Sequence, residues 1–297
     1  MEKIIDLHIH TNCSDGSLSP KEVIDMAKKN NVSILAIADH DTIDAYSNEL
    51  YEYAKKNSIK IINAVEISTK IRGIGIHILG YNFDINNEKL KKELSKLKNS
   101  RHKYLNMVSK KLNTLGYIVN VTALDSLETV TKAHIALDIL NNQNNRNILL
   151  KVFKHIPTKG EFIENIMNEG CPAYVKKESI SPKKAAELIK QAGGKTVLAH
   201  PVAYKYEDNL NDDDILSIIE TAHIDGIESI YIYVDKKQNK INEIKKWTDF
   251  GIKHDLFITV GSDFHIKDGI HPEIGLINES LNLNKDLIKE IVNNILY

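Results

Sequence analysis

A chain of 297 residues, 42% hydrophobic and 27% charged, has room for a large core and the balance of a soluble globular protein. Its formal net charge of −1 argues against a duplex-DNA binder, which carries a basic excess, but leaves room for a small phosphorylated ligand held by local positive charge. Its two cysteines, Cys13 and Cys171, form no CxxC pair, which argues against a disulfide scaffold and fits a reducing cytoplasm.

The opening MEKIIDLHIH lacks the long apolar stretch of a signal peptide, and no apolar run reaches membrane-spanning length. A cytoplasmic protein that does not engage the membrane is expected. Residues 4–9 read as a strand. Ser19-Pro20-Lys21-Glu22 supplies an N-cap, a proline at the first helical position and a capping-box glutamate, so a helix should run to about residue 30. A second strand is expected at 34–38, a helix at 45–56, and further strands at 60–65 and 75–81. Residues 87–190 are helical in period, broken by NNQNNRN at 141–147, which reads as an exposed connector. Strand patterns return at 196–199, 226–232 and 256–260. Strands alternating with helices predict an α/β protein with a parallel sheet or βα barrel, and the helical block reads as an insertion. The barrel would comprise 1–86 and 181–297, and the inserted helical cap 87–180.

Ionisable residues gather where these strands stop. The first ends in His8-Ile9-His10, with Asp15 in the following turn, and the second in Asp39-His40-Asp41. The third ends in Glu66, and the fourth carries His77. The fifth ends in His200-Pro201, the sixth carries Glu228, and the seventh ends in Gly261-Ser262-Asp263-Phe264-His265. Residues two apart on a strand share a face, so His8 and His10 point the same way. In βα barrels the C-terminal strand ends form the active-site rim. Taken singly, HxH is often incidental, Glu66 could be solvated and His77 could be a hydrogen-bonded core histidine. Taken as a set, so many ionisable groups at one rim are costly to bury unless they pair or bind metal. His102, His155, His223, His254 and His271 fall outside the pattern and read as ordinary histidines. Imidazoles and carboxylates without thiolates suit Mn, Fe or Zn, and the ligands are too many for one ion and enough for two or three.

DLHIHTNCSDG, IADHD, Glu66, His77, the AHP at 199–201 and GSDFH at 261–265 together resemble the PHP (polymerase and histidinol phosphatase) superfamily. The resemblance implies a distorted seven-stranded βα barrel. It implies one ion held by His8, His10, Glu66 and Asp263. A second would be held by Glu66, His77 and His200, with Glu66 bridging, and a third by Asp15, His40 and His265. Asp39 and Asp41 would orient histidines from outside. The implied cofactors are two or three divalent ions, Mn first, with Zn or Fe as alternatives.

Length and insertion are most similar to the stand-alone bacterial group acting on nucleoside 3′,5′-bisphosphates and trimming short RNAs from the 5′ end. There the cap supplies phosphate-binding cations. Arg101 matches one, and Lys132-Ala133-His134-Ile135-Ala136 stands where that group has Arg-Pro-His-Ile-Ala; lysine keeps the charge but loses the two-pronged geometry of arginine. The expected activity is therefore metal-dependent phosphoester hydrolysis, with a hydroxide bridging the ions at Glu66 attacking phosphorus in line. Arg101, Lys132 and His134 would hold phosphate on a small nucleotide or short single-stranded RNA. His134 or a metal-bound water would protonate the leaving group. The alternatives are a phosphatase of another small ester such as histidinol phosphate, a non-catalytic PHP binding module, and an amidohydrolase. Amidohydrolases often use a bridging lysine, and no lysine ends a strand here.

Overall fold

The computed structural model describes residues 4–125, 130–176, 179–235, 237–277 and 285–297; of Arg101, His102 and Asp125 it describes the backbone only. The chain divides into two compact units, one of residues 1–94 and 179–297, the other of residues 95–178.

The first unit is built on a seven-stranded, mostly parallel sheet. Its strands are β1 (Ile4–Ile9), β2 (Val32–Ile37), β3 (Lys60–Ile71), β4 (Ile74–Tyr81), β5 (Lys195–Leu198) and β6 (Gly226–Ile230). After the short ribbon β7 (Tyr233–Val234) and β8 (Lys240–Ile241) comes β9 (Phe257–Val260), and the sheet order is β1-β2-β3-β4-β5-β6-β9. β1, β2 and β6 are buried almost throughout, as expected of strands covered on both faces. Among the helices of this unit, α1 (Pro20–Lys29) and α2 (Asn48–Lys56) cover β2, burying Val23, Ile24, Leu50 and Ala54 against Leu35 and Ile37. The Ser19–Glu22 capping box starts α1 as expected, whereas α2 starts later than expected, capped by Ser47. A second core joins Leu7, Ala36, Ala64, Leu79, Val197 and Val260 to the C-terminal helix, through Ile288, Ile291 and Ile295.

Two expectations need correction. The sheet is not wholly parallel: β4 runs antiparallel to both β3 and β5. Arg72 and Gly73 both have positive φ (50° and 92°), the geometry of a tight two-residue hairpin, and this turn sends β4 straight back along β3. Glu66 accordingly does not end its strand. β3 continues to Ile71 to pair with β4, so Glu66 sits inside the ladder opposite Leu79.

The segment after β9 returns to β1. Asp263 N donates to His8 O at 2.8 Å and His10 N to Phe264 O at 2.9 Å. Asp6 reinforces the junction, accepting from Ser262 N at 3.0 Å and Gly275 N at 2.8 Å. Burial pushes its carboxyl up to about 6, against these lowering bonds. β1 and β9, the outer strands of the sheet order, are thereby joined at the end where the ionisable residues gather.

Helix α3 (Glu88–Thr114) enters the second unit, which continues through α4 (Val121–Asp125), α5 (Lys132–Asn141), α6 (Arg146–Phe153) and α7 (Lys159–Phe162). Leu105, Val108, Leu112, Ile135, Ile139, Leu149 and Phe162 form its own core. The 141–147 stretch is not simply an exposed connector. Asn145 is fully buried; its Oδ1 accepts from Ile118 N at 2.7 Å, and its Nδ2 donates to Ile118 O at 2.9 Å and Ile139 O at 3.1 Å. One side chain thus satisfies backbone groups from two segments that no helix or strand bonds.

Candidate metal centre

Glu66 is the hub. Its Oε1 stands 3.0 Å from His200 Nε2 and 3.1 Å from His77 Nδ1. Its Oε2 stands 3.2 Å from His8 Nε2, 3.2 Å from His10 Nε2 and 3.1 Å from His40 Nδ1. Asp263 Oδ1 lies 3.4 Å from His8 Nε2 and 3.2 Å from His10 Nε2. Asp15 faces the other side of the group, 3.3 Å from His265 Nε2, 3.5 Å from His10 Nδ1 and 3.7 Å from His40 Nε2. Three sets have ligand atoms close enough to share an ion: His8, His10, Glu66 and Asp263; His10, Asp15, His40 and His265; and His40, Glu66 and His77.

The backbone accounts for the convergence. His8 and His10 share a face of β1, Glu66 and His77 come from adjoining positions of the β3–β4 ladder, and a parallel bridge holds His40 beside Glu66. Asp41, His200 and Asp263 all hold positive φ (52°, 27° and 52°), at a cost of order 1–3 kcal/mol each. Left-handed backbone turns the chain sharply at three strand ends. Gly261 is held to glycine by contact, since a Cβ there would stand 2.3 Å from His8 Cβ and 2.4 Å from Glu228 Oε1.

The electrostatics follow from burial and mutual charge. Burial opposes ionisation of Glu66 and Asp263, yet the surrounding imidazoles outweigh it and hold both carboxyls well below their usual range. Burial likewise opposes protonation of His10, but Asp263 and Glu66 outweigh it and raise His10 to about 10. His40 goes the other way. Burial, helped by the neighbouring His10 and His77, pushes it well below its ordinary value despite Glu66 and Asp15, leaving a neutral imidazole with a free lone pair.

The donor set fits divalent cations. His40 Nδ1, Glu66 Oε2 and His77 Nδ1 are buried and, although 3.1 Å from a partner in pairs, are not aligned to make hydrogen bonds. Two atoms bound at about 2.1 Å to one ion, at tetrahedral or octahedral angles, stand about 3.0–3.4 Å apart. Lone pairs facing one another at that spacing are the arrangement a shared cation satisfies, and buried groups of this kind are costly without one. Imidazole and carboxylate oxygen suit Mn, Fe or Zn.

A model of the PHP domain matches residues 6–227. The chain belongs to the PHP domain family. Among its PHP relatives, a 5′-3′ exoribonuclease of Haemophilus influenzae is 33% identical over 274 residues, spanning 91% of this chain and 92% of the relative. A 3′,5′-nucleoside bisphosphate phosphatase of Chromobacterium violaceum is 28% identical over 265 residues, 88% of this chain and 87% of the relative. A solved structure of an amidohydrolase from Chromobacterium violaceum superimposes with a TM-score of 0.70 at 25% identity, covering 98% of this chain and 97% of the other.

The structure brings together every carboxylate and imidazole expected as a ligand. The grouping differs from the expected one: His40, not His200, shares a set with Glu66 and His77, and His200 lies outside the three sets, meeting the centre through Glu66 Oε1. Of the expected orienting residues, Asp39 reaches His10 only through Ser14: Ser14 Oγ donates to Asp39 Oδ1 at 2.6 Å and stands 3.4 Å from His10 Nδ1. Asp41 accepts from Ser68 N at 2.7 Å. In the second unit, Arg101 lies on α3, with its side chain outside the described residues. Lys132 opens α5 and donates from Nζ to Asn168 Oδ1 at 2.8 Å. His134 closes a capping box, its N donating to Thr131 Oγ1 and its Nδ1 accepting from Thr131 N.

Sequence reasoning gave no role to Tyr204, whose hydroxyl accepts from His77 N at 2.8 Å, or to Tyr231, whose hydroxyl stands 3.4 Å from Asp263 Oδ2. Nor did it give one to Glu228, whose signal was present: a single acid inside the buried apolar strand Gly-Ile-Glu-Ser-Ile.

Proposed function

We propose that this chain is a metal-dependent phosphoesterase that hydrolyses nucleoside 3′,5′-bisphosphates, short 5′-phosphorylated RNA, or both. The observation that carries the reading is the convergence on Glu66 of imidazoles from three strand ends and β4, with Asp263, Asp15 and His265 beside them. The names of the Haemophilus and Chromobacterium relatives support the substrate class. His8, His10, Glu66 and Asp263 would hold one ion, Glu66, His77 and His200 a second, and Asp15, His40 and His265 a third, Mn being the expected metal. Such ions supply positive charge that stabilises a phosphoryl group and lowers the pKa of water.

The chain's own residues set the stage. Glu66 can place one oxygen in each of two adjoining ligand sets. His77, Asp15 and His265 are about a third exposed and face the entry, while His8 and Glu66 form the closed floor. Arg101, Lys132 and His134 of the cap would hold a second phosphate. The amidohydrolase reading has less support: among the described residues, the basic side chains paired with the Glu66 carboxylate are all histidines, and none is a lysine. The nucleotide substrate and the absence of a membrane-crossing helix among the described residues fit a cytoplasmic enzyme.

The test is phosphate release from adenosine 3′,5′-bisphosphate, 5′-AMP, 3′-AMP and histidinol phosphate, and mononucleotide release from a short 5′-phosphorylated RNA, with Mn²⁺ and after chelation. Metal-dependent turnover fastest on the bisphosphate or RNA is expected. Histidinol phosphate exceeding both would overturn the nucleotide reading, and turnover indifferent to chelation would overturn the metal reading.

A further inference from the structure

Glu228 belongs to none of the ligand sets, yet it is as deeply buried as any residue of the centre. Its two oxygens are used differently. Oε1 lies 3.0 Å from His8 Nδ1, the ring nitrogen turned away from the ligand cluster, and Oε2 accepts from the backbone N–H of His200 at 2.8 Å. His8 Nε2 in turn faces Glu66 Oε2 and Asp263 Oδ1. The lack of a side chain at Gly261 is what lets β6 bring this carboxylate against His8, since a Cβ there would overlap both.

We propose that Glu228 is a positioning residue of the metal centre. By accepting the Nδ1 proton of His8 it fixes the tautomer whose Nε2 lone pair points into the first ligand set. By holding the His200 amide it stabilises the left-handed backbone (φ 27°) that turns His200 toward Glu66. One carboxylate thereby orients ligands of two different ion sites from behind, as partners of metal-binding histidines commonly do. The proposal rests on the metal-centre reading above.

Glu228→Gln is the discriminating variant. A carboxylate offers an acceptor to each partner; an amide offers one acceptor and one donor. Whichever way the amide turns, either the His200 N–H meets another donor or His8 Nδ1 is driven to the wrong tautomer. The full-length variant should keep its far-ultraviolet circular dichroism and bind Mn²⁺ about 10–100-fold more weakly than wild type in competition with a chelator. Long-range nitrogen–proton NMR of the wild-type protein loaded with diamagnetic Zn²⁺ should show His8 protonated at Nδ1, and this measurement stands even if the variant fails to fold. Unchanged Mn²⁺ affinity in a folded Glu228→Gln, or a proton on His8 Nε2, would overturn the role of Glu228 alone. Wild-type protein that binds no Mn²⁺ would overturn the metal-centre reading, and this role with it.

Discussion

His40 Nδ1 and Glu66 Oε2 lie 3.1 Å apart, buried, brought together by a backbone bridge, and neither makes a hydrogen bond. A lone-pair donor facing a carboxylate oxygen at this spacing is stable when a cation lies between them. The same carboxylate faces His200 and His77 through its other oxygen. Glu66→Gln keeps the size but removes the charge from both sides at once. Turnover should fall by more than the roughly 10–100-fold typical of losing an orienting partner, with bound Mn²⁺ reduced and the fold retained. Elemental analysis beside kinetics checks it, and full turnover with full metal content would refute the hub.

Metal loading should release protons. In the ion-free protein His10 is raised to about 10, since Asp263 and Glu66 outweigh the burial that opposes its protonation. Below that pH the ring holds a proton that a cation must displace. Apparent Mn²⁺ affinity should therefore climb with pH from about 7 to about 9. Calorimetric titration in buffers of different ionisation enthalpy measures the proton count, and a count of zero would contradict the protonated ion-free state.

If Arg101 grips a non-reacting phosphate as proposed, Arg101→Ala should raise KM for phosphorylated substrates and leave metal content unchanged, because such a grip is largely uniform binding. Michaelis kinetics and elemental analysis on the same preparation decide it. Loss of metal would show that Arg101 has another role.

If Arg101, Lys132 and His134 hold a second phosphate as proposed, a substrate that leaves them empty forfeits charge-assisted bonds worth roughly 1.5–3 kcal/mol each. Adenosine 3′,5′-bisphosphate should therefore exceed 5′-AMP or 3′-AMP by about tenfold to a hundredfold in kcat/KM. Lys132→Ala should narrow that ratio more than it slows a generic aryl phosphate. Equal ratios in variant and wild type would remove Lys132 from substrate binding and leave it the partner of Asn168 that the structure records.

Asn145→Ala should destabilise the second unit by about 2–3 kcal/mol, since it strands Ile118 N and two backbone carbonyls in the interior. Hydrogen exchange should rise over residues of α5 and α6. Mn²⁺ affinity should not change, because the proposed ligands all lie in the other unit. Uniform exchange across both units would argue that they unfold as one.

The sequence by itself determined the family, the alternation of strands and helices, and the candidate ligand residues that the structure brings together. These properties are written in local chemistry: His8 and His10 two apart on a strand, the Ser19–Glu22 capping box, the Gly-Ser-Asp-Phe-His stretch. Tertiary structure decided what depends on long-range pairing. The direction of β4 followed from the tight turn at Arg72-Gly73, and that hairpin extended β3 beyond Glu66 and set His77 beside it. Only packing could show that Asp39 reaches His10 through Ser14, that Asn145 is a buried staple, and that Glu228 backs His8 across a space kept open by a glycine at 261. Each joins residues with no periodic relation along the chain. Pattern along the chain reports which face a residue occupies, and the partner that face meets is set by the fold.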